Sequence, residues 1–371
     1  MRPRFWERPV LLLVAFQCSL LPRLLQAQTP ETPGDSGQAV NLAVFIEGQV
    51  SIKRKGWANY APVVFGTTFR TGDLIHVEES SHAKVVCSDL TLHDIAVGIG
   101  GVPCVTARPL LRRADGSMIN VTRSWPSDGS FPIVLSPRKT KLLSFRPQLR
   151  WTPVEGANVY DVAVRGLNFF WTSRVRSLTE IPYPDGAPRL EAGVDYKLIV
   201  QTRDRSSADE PGLGLGFAIL GSKERKRVEE EQRRVEGLGL TEGPTQFLIA
   251  YLYATHGLNA EAIQRLESVA QTLNVAAVAR LLGGLYLEVG LTRQAEARYL
   301  NSLDLSKFEK DEEGEMRTHL ALAGIYEQGL GNEKLAQQHL DATLALAKKM
   351  GDDQTVSQAE KKLTELKRAA M

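Results

Sequence analysis

Ala250, Tyr253, Gly257, Ala262 and Leu266; Gly283, Tyr286, Gly290, Ala295 and Tyr299; Ala323, Tyr326, Gly331, Ala336 and Leu340: one order of residue types recurs three times toward the C-terminus. Each copy is a small residue, a Tyr, a Gly, an Ala and a bulky residue. The Tyr-to-Tyr steps are 33 and then 40 residues. A small residue and a Tyr three positions apart share one face of a first helix. Gly lets the chain turn, and Ala admits a second helix at close range. Such helix pairs cannot bury their apolar faces alone, so they stack into a solenoid with a concave surface that can hold a partner. The pattern points to binding rather than catalysis.

Within every copy Gly to Ala is five residues and Ala to the bulky position is four. Tyr326 to Gly331 is one residue longer than Tyr253 to Gly257, which predicts an altered turn. The insertion from Leu305 to Glu315, carrying Lys307, Glu309, Lys310, Asp311, Glu312 and Glu313, reads as a longer polar connection. The copies resemble tetratricopeptide repeats, whose period is ~34 residues. Roughly three are expected between Gly243 and Ala347. A closing helix from Val356 to Lys367 completes a helical region over 243–368; an ordinary helical bundle is the alternative. The resemblance implies a concave face built from first-helix positions not used for internal packing. These are Tyr251, Thr255, Arg280, Glu288, Arg317 and Glu327, a mixed-charge set around an apolar Tyr.

At 371 residues the chain has room for two or three domains. Lys and Arg number 45 against 43 Asp and Glu, so no global field favours nucleic acid. The N-terminus is distinct. Arg2, Arg4 and Arg8 precede an apolar run from Val10 to Leu21, followed by Leu25-Gln26-Ala27. This reads as a signal peptide over 1–27 and an extracytoplasmic, periplasmic or secreted, protein, with an uncleaved anchor as the alternative. A Pro- and Gly-rich spacer follows over 28–41, and no later stretch is apolar for the ~18 residues a membrane span requires. Removal of the signal leaves Cys87 and Cys104, in an exported chain most simply a disulfide. A metal reading would recruit His76, His82, His93, Asp89 and Asp94, but their spacing matches no zinc pattern. No cofactor is expected.

Between 42 and 107, short alternating apolar runs (Val44-Ile46, Val50-Ile52, Val63-Phe65, Leu74-Val77, Ala83-Val85, Leu90-Leu92) are broken by Gly48, Gly56, Gly66 and Gly72. They read as strands with one buried face. Gly48-x-Val50-x-Ile52-Lys53-Arg54, Trp57, Gly66, Phe69-Arg70-x-Gly72-Asp73-Leu74-Ile75 and Ser81-x-Ala83-x-Val85 resemble the FecR-type β domain of bacterial envelope regulators. The Gly-Asp-Leu-Ile piece is the most specific part. Asp89-Leu90 departs from that family's Asp-Gly. The resemblance implies an envelope location and a small β fold; with only Met1 to Pro9 before the apolar run, direct sigma-factor control is not expected.

A connecting segment over 108–137 leads to a second β pattern over 138–205. Leu149-x-Trp151, Val159-Tyr160-x-Val162-x-Val164, Phe169-x-Trp171 and Tyr196-x-Leu198-x-Val200 alternate cleanly. With Leu190-x-x-Gly193-x-x-Tyr196 they resemble a fibronectin type III sandwich, Tyr196 standing at its corner-Tyr position. The module is short for seven strands, so one is expected from Phe131 to Leu135 or from Leu215 to Leu220. A linker and charged helix fill 206–242, where Gly212-Leu213-Gly214-Leu215-Gly216 lacks the context of a phosphate loop.

No Gly-x-Ser-x-Gly, His-Glu-x-x-His or nucleotide loop occurs. The six histidines are scattered, and His256 and His339 read as surface or packed helix residues. The expected function is therefore a non-enzymatic adaptor that binds a partner protein or peptide. An envelope sensing component is the alternative. A cell-wall glycan binder is a third reading, and it requires Trp57, Trp125 and Trp171 to be exposed.

Overall fold

The repeat residues stand where their types require in a computed structural model, which describes residues 39–104, 110–111, 129–210 and 215–369. The expected signal segment and most of the expected spacer, most of 105–128, and the start of the glycine-rich stretch lie outside the described residues. β-Sheets occupy the N-terminal part and helices the C-terminal part.

Eight α-helices are found among the described residues: α1 (Ser222–Glu236), α2 (Glu242–Thr255), α3 (Asn259–Thr272), α4 (Ala276–Glu288), α5 (Thr292–Glu309), α6 (Glu312–Gly324), α7 (Glu333–Met350) and α8 (Asp353–Ala369). Ala262, Ala295 and Ala336 are fully buried, and Tyr253, Tyr286 and Tyr326 nearly so. The turn residues Gly257, Gly290 and Gly331 have φ of +71°, +77° and +65°, a region that a side chain disfavours. At Gly283 a Cβ would stand 2.8 Å from the Tyr299 ring, so the small residue of α4 is the seat of the bulky residue of α5.

The two irregularities resolve differently. The extra residue after Tyr326 is absorbed as a π-helical turn over Ile325–Gly329, closed by Leu330 N donating to Ile325 O across five residues. The charged insertion is not a loop. It lengthens α5 to Glu309, and the connection to α6 shrinks to Lys310, in the left-handed region at φ +59°, and Asp311, which caps α6 by accepting from Gly314 N. Ser302 and Leu303 just before the insertion and Ser306 within it are buried, so one buried face runs on into the added turn, and its packing outweighs the polarity of the other face.

The first β module carries two four-stranded sheets. One has the order β4 (Thr68–Phe69), β1 (Asn41–Glu47), β6 (His82–Val86), β7 (Leu92–Asp94). The other runs β3 (Ala61–Pro62), β2 (Val50–Lys53), β5 (Leu74–Val77), β8 (Gly98–Gly101). Ala43, Phe69 and Val85 meet Ile52, Ile75 and Val77 between them. Residues 41–44 are all buried, because Leu42 and Val44 point the other way, into the core of the helices. Cys87 and Cys104 are bonded, with Cα atoms 5.4 Å apart.

The second module is a sandwich. Its smaller sheet has the order β14 (Glu180–Pro182), β11 (Gln148–Trp151), β9 (Val134–Ser136). The larger has β10 (Thr140–Leu142), β16 (Phe217–Ile219), β15 (Asp195–Gln201), β12 (Val159–Gly166) and β13 (Phe169–Arg176). Both segments considered for a missing strand contribute one, as β9 and β16. Trp151 and Leu149 pack against Tyr160, Val162 and Val200 between the sheets. The Tyr196 hydroxyl accepts from Glu191 N, five residues upstream, at 2.8 Å.

Candidate functional site: the inner helical face and the inter-module cleft

The row of first helices, α2, α4 and α6, is where the sequence pattern leads a partner to be expected, and the chain's own first β module packs on it. Gly66, at φ +78°, lies so close to Ala277 of α4 that no Cβ fits. Phe65 meets Phe247 of α2 edge to face, ring centres 5.1 Å apart. Trp57 and Ala61 pack with Met316 of α6 and Met350 of α7, and Asn59 donates from its side chain to Lys349 O at 2.9 Å.

A buried ionic cluster joins the same two parts. Arg54, 4 % exposed, donates to Asp73 at 2.6 Å and through Nε to Glu313 of α6 at 3.1 Å. Arg317 closes the cluster on Glu313 at 2.6 Å. Burial by itself raises the Glu313 pKa, but the Arg317 and Arg54 guanidiniums outweigh it and bring the carboxyl down to about 2. Asp73 also accepts from Arg70 N, so the Gly-Asp-Leu-Ile piece builds the seat for Arg54.

The six residues read as partner contacts do not share an open surface. Tyr251 is 4 % exposed and belongs to the helical core, which corrects its reading as an accessible apolar contact. Thr255 donates back to Tyr251 O. Arg280 pairs with Asp311 at 3.3 Å, and Arg317 with Glu313, reaching Thr68 of the first module at 3.4 Å. Glu327 lies 3.6 Å from Lys362 of α8, and Glu288 is half-buried. The first-helix row was legible; its cover, from residues of another module far earlier in the chain, was not.

The sandwich grips the opposite ends of the helices. Arg138 donates to Val289 O at the end of α4 while its guanidinium holds Glu210. Lys141 N donates to Gly257 O, and Glu261 of α3 accepts from Leu143 N at 2.7 Å. Burial raises the Glu261 pKa. Between sandwich and helices a cleft of about 500 Å³ remains. Leu135, Leu142 and Ile263 give it an apolar floor, and Gln148, Gln264 and Gln294 supply carboxamides. Three of its charged groups engage one another: Arg150 reaches Glu180 at 3.4 Å and Glu267 at 3.3 Å, and the Tyr286 hydroxyl donates to Glu267, while Arg146 and Glu261 also line the cleft. Burial, with that carboxylate, pushes the Tyr286 hydroxyl upward. The cleft offers carboxamide hydrogen bonding beside the Glu261 carboxylate and three apolar side chains.

Two further features bear on function. His319 of α6 and His339 of α7 are paired Nδ1 to Nδ1 at 2.8 Å, with Tyr326 stacked on His339. Burial, with the neighbouring imidazole, brings His319 down to about 4. Among the described residues the two tryptophans that a glycan reading requires to be exposed are not: Trp57 is 8 % exposed and Trp171 is half-buried against the Tyr183 ring, while Trp125 lies outside the described residues. No protein-family model matches the chain, and no curated protein matches it at a level that marks a relationship.

Proposed function

We propose that the chain is an exported, non-enzymatic adaptor of three module types, FecR-like, fibronectin III-like and tetratricopeptide-like, that holds a protein or peptide partner. The observation that carries this reading is the inter-module cleft. Clefts between modules are preferred binding places, and 500 Å³ accommodates a short peptide segment. Carboxamides on facing walls can donate to and accept from a peptide backbone, while Leu135, Leu142 and Ile263 receive an aliphatic side chain. Because the first β module already packs on the first-helix row, the partner is assigned to this cleft rather than to a whole concave surface. The half-buried and buried state of Trp171 and Trp57 weighs against stacking of a wall glycan.

The test is an affinity pull-down from the envelope fraction with the wild-type chain and with Gln264→Trp, which fills the cleft from an exposed wall position. A partner protein captured by the wild type and lost by the variant, at equal thermal stability, supports the reading. A partner retained by Gln264→Trp moves the site elsewhere. Capture of purified wall material with no protein would favour the glycan alternative.

A further inference from the structure

The geometry points to β13 as a docking edge for an extended, acidic strand of a protein partner. β13 ends the larger sheet of the sandwich, paired to β12 on one side over all eight of its residues. A strand at a sheet edge presents a row of backbone N–H and C=O groups to any segment that can lie beside it, and natural edges are usually kept short. Most other edge strands here run two or three residues, and β8 four. β13 is not shortened in this way, and its sequence has no Pro.

Its two faces say what would fit. On the inner face Val162, Val164 and Val200 of the neighbouring strands are fully buried, yet Phe169 and Trp171 of β13 remain only half-buried. The core has an open lip along this edge, which apolar residues of an added strand would cover. The outer face is basic. Register places Arg165 beside Phe170, Ala163 beside Thr172, Asp161 beside Arg174 and Val159 beside Arg176. Three guanidiniums thus share the outer face of β12 and β13 with one carboxylate, Asp161, which is engaged with Arg174 at 2.8 Å. Arg165 lies over the Phe170 ring at 5.4 Å, and Phe170 is 60 % exposed. Leu167 and Leu178, at the two ends of the strand, are 84 % and 56 % exposed.

This charge balance selects the occupant. A second copy of the chain would bring three more arginines to the same face, and like charges across a strand pair are unfavourable. A strand with carboxylates at alternate positions places them opposite Arg174 and Arg176 and turns its apolar residues toward Trp171. Strand addition of this kind takes its affinity from main-chain hydrogen bonds and its specificity from alternate side chains. The inference does not depend on the inter-module cleft, whose lining residues are different.

The experiment uses the full chain with two fluorescein-labelled octapeptides, one alternating valine and glutamate, the other valine and lysine. Fluorescence anisotropy should show the glutamate peptide binding at least about tenfold more tightly, and the preference should shrink as salt screens the arginines. Arg176→Glu, at an exposed position, should weaken the glutamate peptide by about tenfold, and Arg174→Glu with Arg176→Glu should reverse the preference. Hydrogen exchange on the wild type requires no variant to fold: alternate amides of 169–176 should slow when the glutamate peptide is added. Equal binding of both peptides, no binding of the glutamate peptide, or protection that falls elsewhere overturns the inference. Protection of 169–176 by self-association without peptide would assign the edge to a second copy and overturn it as well.

Discussion

Replacing Glu313 by Gln tests whether the ionic cluster holds the first β module to the helices. The change keeps the size of the side chain and removes its charge. At pH 7 the wild-type carboxylate is buried among Arg54 and Arg317, and its pKa near 2 compares with an ordinary value of 4.5. Each pKa unit is worth about 1.4 kcal/mol, so the charge contributes roughly 3 kcal/mol to folding at neutral pH. Removing one member of a buried pair typically costs about 3–5 kcal/mol, which agrees in size. The sign fixes the pH window. A carboxyl with a depressed folded pKa stabilises above its unfolded pKa, and that contribution is lost as pH falls from about 4.5 toward about 2. Urea unfolding of wild type and Glu313→Gln should therefore differ by roughly 3 kcal/mol at pH 7 and converge as pH 2 is approached. The first β module and the helices share one apolar core, so they are expected to unfold together and report a common transition. A pH-independent difference, or equal stability at pH 7, would refute the reasoning.

Other expectations follow from single features. Mass mapping of a non-reduced digest should return one peptide pair linked through Cys87 and Cys104, and replacing both by Ala should cost about 3 kcal/mol for a closed loop of this length. Ala295→Leu, at a fully buried helix contact, should destabilise by ~1–3 kcal/mol through overpacking and lower the melting temperature before it alters any binding. His319, with a folded pKa near 4 against 6.5, should make the chain lose stability as pH falls from about 6.5 toward 4; His319→Gln should flatten that slope in a thermal-melt series. Arg280→Ala should lower stability, since it leaves Asp311 buried without its guanidinium, and an unchanged melting temperature would contradict that role.

The helical part was legible because its determinants are local. The Tyr, Gly and Ala of each copy act on residues within a few turns, so their spacing encodes their contacts. The same holds for the alternating strands and for Tyr196, whose hydrogen bond spans five residues. The insertion at 305–315 was misread because charge dominates its composition, whereas Ser306 within it continues the buried face begun by Ser302 and Leu303 and keeps α5 helical by packing. The candidate contacts failed to gather for a different reason. Arg54 and Glu313 are 259 positions apart, and no periodicity within the repeats records which surface another module will cover. The cleft was invisible for the same reason, its walls being Gln148 and Arg150 on one side and Gln264 and Glu267 on the other. The His319–His339 pair had a weak signal, two histidines on helices expected to be neighbours, but nothing in their spacing fixed which ring atoms would meet.

The doubly buried strand β1 sets the order in which the chain can mature. Ala43 belongs to the β core, yet Leu42 and Val44, with Val40, Val86, Leu90, Leu111 and Ile133, belong to a core that also takes in helix residues from Leu220 to Leu366. The first strand among the described residues thus shares its core with helices near the end of the chain, and a core of such long sequence separation is slow to form because large loops must close first. An intermediate with only the β modules folded would display Leu42, Val44 and Val86 to solvent as an adhesive strip. Truncations that remove the C-terminal helices should therefore yield aggregating β modules rather than a soluble fragment, which light scattering of the purified fragment would check.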